Sequence, residues 1–142
     1  MNNLKISQTS IKIITDEFKY IANKMRGTND PLEKVFFFSG AYGVLPRVFN
    51  QEYDPLLIHM HMILQTSYNT INARVQEITR GIEKIIKIPS NYYNILENII
   101  EMLAEKIDKR QDLSEPLQKI SILTYALIGN GYYLLQKGIL IL

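Results

Sequence analysis

The chain contains no cysteine. Thiol nucleophiles, cysteine-ligated zinc, iron–sulfur clusters and a disulfide framework are therefore excluded. Histidine is almost as scarce, with His59 and His61 the only two. Charge of one sign is not in excess: 16 basic residues against 14 acidic give a net charge of +2. That is too little for bulk electrostatics to draw in nucleic acid or a membrane surface. No apolar run reaches the roughly 20 residues of a membrane span. The C-terminal uncharged stretch, Ile120 to Gln136, has 17 residues and is broken by Ser121, Thr124, Asn130 and Gln136. The opening "MNNLKISQTS" lacks a basic segment followed by an apolar one, so it does not read as a secretory leader. Without cysteines or a leader, a cytoplasmic location is expected. Low-complexity linkers and internal repeats are also missing.

Catalytic signatures are thin. Gly40-x-x-Gly43 in "FFFSGAYG" matches neither spacing of a phosphate-cradling loop. Ser39 has no evident histidine base, and no Gly-x-Ser-x-Gly elbow occurs. A di-iron bundle needs Glu-x-x-His pairs, and the chain has none. No cofactor is expected, and the balance of absences points away from an enzyme.

What is present is helical. The length of 142 residues suits one domain over residues 1–142. A chain of this size buries roughly 68–70% of its unfolded surface, enough for a core without a metal. Leu57, Met60, Leu64, Tyr68, Ile71, Val75, Ile78 and Ile82 are spaced by threes and fours. That is one stripe of an amphipathic helix. Asp54 caps it, and Pro55 takes the first helical position, where a missing N–H is harmless. The pattern predicts a helix of roughly 30 residues, about 45 Å long, stopping before Pro89, with Gly81 a weak point inside it. Asp30-Pro31 and Ser114-Glu115-Pro116 repeat the start signal, and Ser90 is placed to cap a further helix. Ile11, Ile14, Phe18, Ile21 and Met25 share one face of an earlier helix that Gly27 ends. Helices are thus expected over about 10–26, 31–43, 55–87, 91–109 and 115–137. Within 31–43, Lys34–Phe38 could form a strand, but Asp30-Pro31 and the lack of a partner strand favour helix, followed by an irregular link around Pro46. The expected fold is all-α: a compact bundle of four long helices plus one short one, with mainly antiparallel neighbours because the links are short.

The helical backbone decides the histidines. Residues two apart on a helix point about 200° apart, so His59 and His61 cannot chelate one ion. His61 falls in line with Gln65, Asn69, Asn72 and Gln76 on the polar face. Glu97, Glu101, Glu105 and Asp108 form an acidic stripe opposite Ile95, Ile99, Met102 and Leu103. Stacked carboxylates can hold Mg²⁺ or Mn²⁺, which gives one alternative, a metal-dependent hydrolase. The plainer reading pairs the stripe with Arg80, Lys84 and Lys87 on the preceding helix. Those residues, with Arg74, are also the best nucleic-acid candidates and give a second alternative, a nucleic-acid- or polymerase-associated regulator. Glu77 and Glu83 dilute that surface, and phosphate tracking wants a clearer basic excess.

The remaining signals concern surfaces. There are nine tyrosines, including the pairs Tyr92-Tyr93 and Tyr132-Tyr133. Neighbours on a helix lie about 100° apart, so one of each pair can be buried while the other reaches a rim or interface. Ile120–Gln136 reads as a buried central helix, with Gly129 and Gly131 allowing close approach. Phe36, Phe37 and Phe38 fill the core or a partner's groove. The tail, Ile139, Leu140, Ile141 and Leu142, is a liability if left bare and must dock on its own domain or on a partner. The expected function is a non-enzymatic interaction or structural module, a homo-oligomer using Phe36–Phe38, Tyr132, Tyr133 and the tail, with a foreign protein partner also possible.

Overall fold

Asp-Pro pairs start helices here by a mechanism visible in the backbone. The Asp54 carboxylate accepts from the Leu56 N–H at 2.9 Å, and Pro55 has no N–H to leave unsatisfied. The same happens at Asp30, which accepts from the Leu32 N–H at 3.0 Å. The computed structural model describes residues 3–81 and 88–142. Its helices are α1 (Gln8–Arg26), α2 (Pro31–Phe38), α3 (Gly40–Gly43), α4 (Leu45–Phe49), α5 (Pro55–Thr79), α6 (Tyr92–Asp108), α7 (Ser114–Tyr125) and α8 (Gly131–Gln136). Among the described residues there is no strand. The all-α expectation holds, with α1, α5, α6 and α7 as the four long helices.

Several boundaries move, each for a local reason. The expected 31–43 helix is two short ones, and the expected irregular link around Pro46 is helical. Ser39 and Val44 keep right-handed helical angles (φ −57°, ψ −27° and φ −74°, ψ −29°), so α2, α3 and α4 follow one another in steps. Pro46 sits in the first turn of α4, where a proline is tolerated. Gly81 is not a weak point inside α5 but its end: φ is +68°, and its N–H bonds back to the Ile78 carbonyl at 3.1 Å. Glycine takes that conformation without strain. The rest of the predicted helix, residues 82–87, lies outside the described residues. Ser90 does not cap α6; Asn91 stands at that position and makes no side-chain cap bond.

The C-terminal helix is broken. α7 stops at Tyr125, and α8 starts at Gly131 after a turn with Gly129 at φ +51°. A Cβ on Gly131 would lie 1.8 Å from the Tyr125 carbonyl oxygen. The two backbones meet so closely that only glycine fits. Residues 120–136 are thus not one buried central helix, since Ser121, Tyr125, Ile128 and most of α8 reach the surface.

The long helices pair across the sequence. α1 lies mainly against α6, α6 against α7, α7 against α5, and α5 against α2, which returns to α1. This closes a ring around a core in which Ile11, Ile14, Phe18, Leu57, Met60 and Leu64 are fully buried. Polar ties lock the ring. The Tyr92 hydroxyl donates to the Leu123 carbonyl at 2.7 Å, joining α6 to α7. Ser67 and Thr124 bond to each other between α5 and α7. Arg74 Nε donates to the Leu127 carbonyl at 2.9 Å, tying α5 to the turn after α7. The N-terminal residues are held as well. Leu4 and Ile6 are buried, and Glu52 accepts from the Ser7 N–H at 2.9 Å and from the Ser7 hydroxyl at 2.7 Å.

Candidate functional site

α7 touches only α5 and α6 among its main neighbours. Among the described residues its outward side is uncovered, and an apolar groove runs along each flank.

The first groove lies between α5 and α7 and has a volume of about 370 Å³. Met62, Ile63, Tyr125 and Ile128 make its walls, with His59, Thr66 and Ser121 at hydroxyl or imidazole positions among them. The hydrogen-bonded Ser67–Thr124 pair forms its floor. Met62 is 62% exposed, an unusual state for a long apolar side chain. Ile58, one turn earlier on α5, is exposed too.

The second groove lies between α6 and α7 and carries the tail. The chain reaches it through a glycine-dependent helix ending. Gly138 has φ +74°, its N–H bonds to Leu135 O at 3.2 Å, and the Ile139 N–H bonds to Leu134 O at 2.9 Å. This double bond pattern with a left-handed glycine ends a helix and turns the chain sharply. Leu142 then packs on the core beside Ile95, Ile99 and Leu123. The seat is not full: about 340 Å³ remains beside Ile141 and Leu142. Leu140 is half-buried, whereas Ile139 is 70% and Ile141 77% exposed. The tail thus has one seated side and one bare side.

The other residues expected at a partner surface are spread widely. Phe36 is 70% exposed and stacks edge-on against Phe37, which leans on the core. Phe38 is fully buried and presents no surface. Tyr133 is exposed with the Lys137 ammonium 5.5 Å from its ring, and Tyr132 is half-buried. In the other tyrosine pair, Tyr92 is buried and Tyr93 half-buried. Burial raises both phenols, Tyr93 to about 12 and Tyr92 further. Both stay protonated at neutral pH, and Tyr92 serves as a structural donor.

The histidines do not meet around an ion. His59 is exposed at the first groove. His61 is not on a polar face: its ring packs edge-on against Tyr42 at 5.8 Å and Phe49 at 5.7 Å. The steps α3 and α4, which the sequence does not announce, bring those rings over α5.

The acidic stripe is split between buried and exposed positions. Glu97 is buried and pairs with Lys34 of α2. Glu101 pairs with Arg26 of α1, while Glu105 and Asp108 are exposed. Among the described residues, no group of three acidic or histidine side chains could hold a metal. Glu97 and Glu101 turn toward α2 and α1 because α6 packs on α1. Of the basic residues, Arg74 is committed to Glu77 and Leu127, and Arg80 is exposed at the end of α5. Lys84 and Lys87 lie outside the described residues. Among the described residues, no helix is long and apolar enough to cross a membrane.

Comparison with protein-family models, with curated proteins and with solved structures finds no match to this chain.

Proposed function

We propose that the chain is a self-associating helical module and that its interface is the uncovered side of α7 with the two flanking grooves. The observation that carries this reading is the tail. Ile139 and Ile141 stand 70% and 77% exposed on a segment that Leu142 anchors to the body. Burying an isoleucine is worth about 1.5–3 kcal/mol, so two bare isoleucines in a fixed place favour association. They are not sufficient alone, because a stable interface buries about 800 Å² on each partner. The α5–α7 groove, with Met62, Tyr125 and Ile128 exposed along it, supplies further apolar surface on the other flank of α7. The partner is a second copy. The tail offers isoleucines, the groove takes apolar side chains, and a two-fold arrangement lets each copy give and receive.

Sedimentation equilibrium tests this with two variants. Met62→Glu places a charge in the groove, and Ile139→Ser with Ile141→Ser removes the bare side of the tail while leaving Leu142 seated. Each weakens self-association at least tenfold. Unchanged association in both would show that α7 is not the interface.

A further inference from the structure

On the α1, α2 and α6 side of the ring, where α1 ends and α2 begins, lies a polar cleft of about 430 Å³. Arg26, Asn29, Lys34, Asn94, Glu97 and Asn98 line it. Two of these line the cleft although they are buried. Lys34 and Glu97 have only 11% and 4% of their side-chain surface exposed. The Lys34 ammonium donates to Glu97 Oε1 and to the Met25 carbonyl at 2.6 Å. A buried ion pair has no general stability advantage over apolar residues of the same shape, so stability alone does not account for it.

The donors and acceptors left free define what the cleft can take. Among the described residues, Glu97 Oε2 receives no hydrogen bond, and Thr15 Oγ1 is the one sealed side-chain polar atom without a partner. Glu97 Oε2 is therefore open to the cleft. Arg26 is fixed at both ends of its fork, to Glu101 and, at 2.8 Å, to Asn98 Oδ1. Its remaining N–H groups and the Asn98 amide are free donors. Asn29 and Asn94 are exposed, and among the described residues their side-chain amides make no hydrogen bond. Donors thus outnumber acceptors, which favours an oxyanion. Charge is nonetheless balanced, Arg26 and Lys34 against Glu97 and Glu101, which disfavours a bare anion. No aromatic ring lines the cleft, so a nucleobase or sugar would find no stacking platform. The volume falls within the range of about 300–1,000 Å³ usual for small-molecule sites.

We propose that this cleft binds a small zwitterion of the α-amino acid class. The ligand carboxylate is held by the free edge of Arg26 and the Asn98 amide. Its ammonium is held by Glu97 Oε2 and the Asn94 side-chain carbonyl. The site is separate from the proposed interface: Asn94, Glu97 and Asn98 line the cleft, whereas Ile95 and Ile99 of the same helix face the second groove.

The test uses the intact ¹⁵N-labelled chain and follows the side-chain amide signals of Asn29, Asn94 and Asn98. The standard L-amino acids are added singly, then the N-acetyl derivative of any that binds, then inorganic phosphate. At least one amino acid should give saturable shifts at these amides. N-acetylation, which removes the ammonium, should weaken binding at least tenfold, as should Arg26→Gln and Asn94→Ala, two exposed positions whose variants keep the far-ultraviolet spectrum. The proposal is overturned if no amino acid produces saturable shifts up to about 10 mM, a binding free energy of only about −2.7 kcal/mol. It is equally overturned if N-acetylation or Arg26→Gln leaves binding unchanged, or if phosphate binds as well as the amino acid.

Discussion

Removing the charge of Glu97 should damage the fold severely. The carboxylate and the Lys34 ammonium are both nearly sealed between α1, α2 and α6. Glu97→Gln keeps the shape of the side chain but leaves the ammonium buried beside a neutral amide. Breaking a buried pair from one side costs roughly 3–5 kcal/mol, because the remaining charge loses its partner without regaining water. Lys34→Met alone should cost less. The methionine fills the apolar space, the Met25 carbonyl keeps the Thr28 N–H at 3.5 Å, and Glu97 Oε2 already reaches the cleft. The double change Lys34→Met with Glu97→Gln should recover most of the loss, because no charge is then stranded. The assay is urea unfolding of the four proteins in a double-mutant cycle, at low enough concentration to hold the association state fixed. A coupling energy of about 2 kcal/mol or more is expected. A Glu97→Gln loss under about 1 kcal/mol, or additive single changes, would refute the description of this pair as buried and mutually dependent.

Thr15 offers the opposite sign. Its hydroxyl is buried without a partner among the described residues, so Thr15→Val should stabilise by about 1 kcal/mol, seen as a raised urea midpoint. Gly131→Ala should cost roughly 3 kcal/mol or more, since its Cβ would collide with the Tyr125 carbonyl at 1.8 Å; hydrogen exchange should show α8 losing protection first. Glu52 is held below its ordinary value of 4.5 by hydrogen bonds from Ser10 and then Ser7. Its contribution is therefore complete above the unfolded value and is lost as pH falls through the lower folded one. Urea midpoints of the native chain should drop through this acid range more steeply than those of Glu52→Gln; parallel curves would contradict the clamp.

The sequence announces helices where a local mechanism acts and falls silent where tertiary contact decides. Asp30-Pro31 and Asp54-Pro55 were readable because capping involves only neighbouring residues. The buried face of α1 was equally plain from its spacing, and all of Ile11, Ile14, Phe18, Ile21 and Met25 are buried. The break at Gly131 was not readable. Nothing in "GNGYY" distinguishes a glycine that allows close helix packing from one pressed against the preceding turn. The four-residue spacing of Glu97 and Glu101 puts them on one helix face, but their partners depend on which helix packs there. α6 lies on α1, so those partners are Lys34 and Arg26. His61 lines up in sequence with polar residues, and its cover by Tyr42 and Phe49 is not legible because α3 and α4 follow no strong periodic signal. The tail was visible as an apolar segment in need of a dock. Which of its residues are seated and which are bare came from the turn at Gly138, a matter of backbone angles.

The most direct measurement is the solution mass of the intact chain and of a chain ending at Lys137, by light scattering on a sizing column. The account predicts a dimer or larger for the intact chain and a monomer for the shortened one. A monomer in both cases would contradict it and leave Ile139 and Ile141 as bare surface with no second copy to cover them.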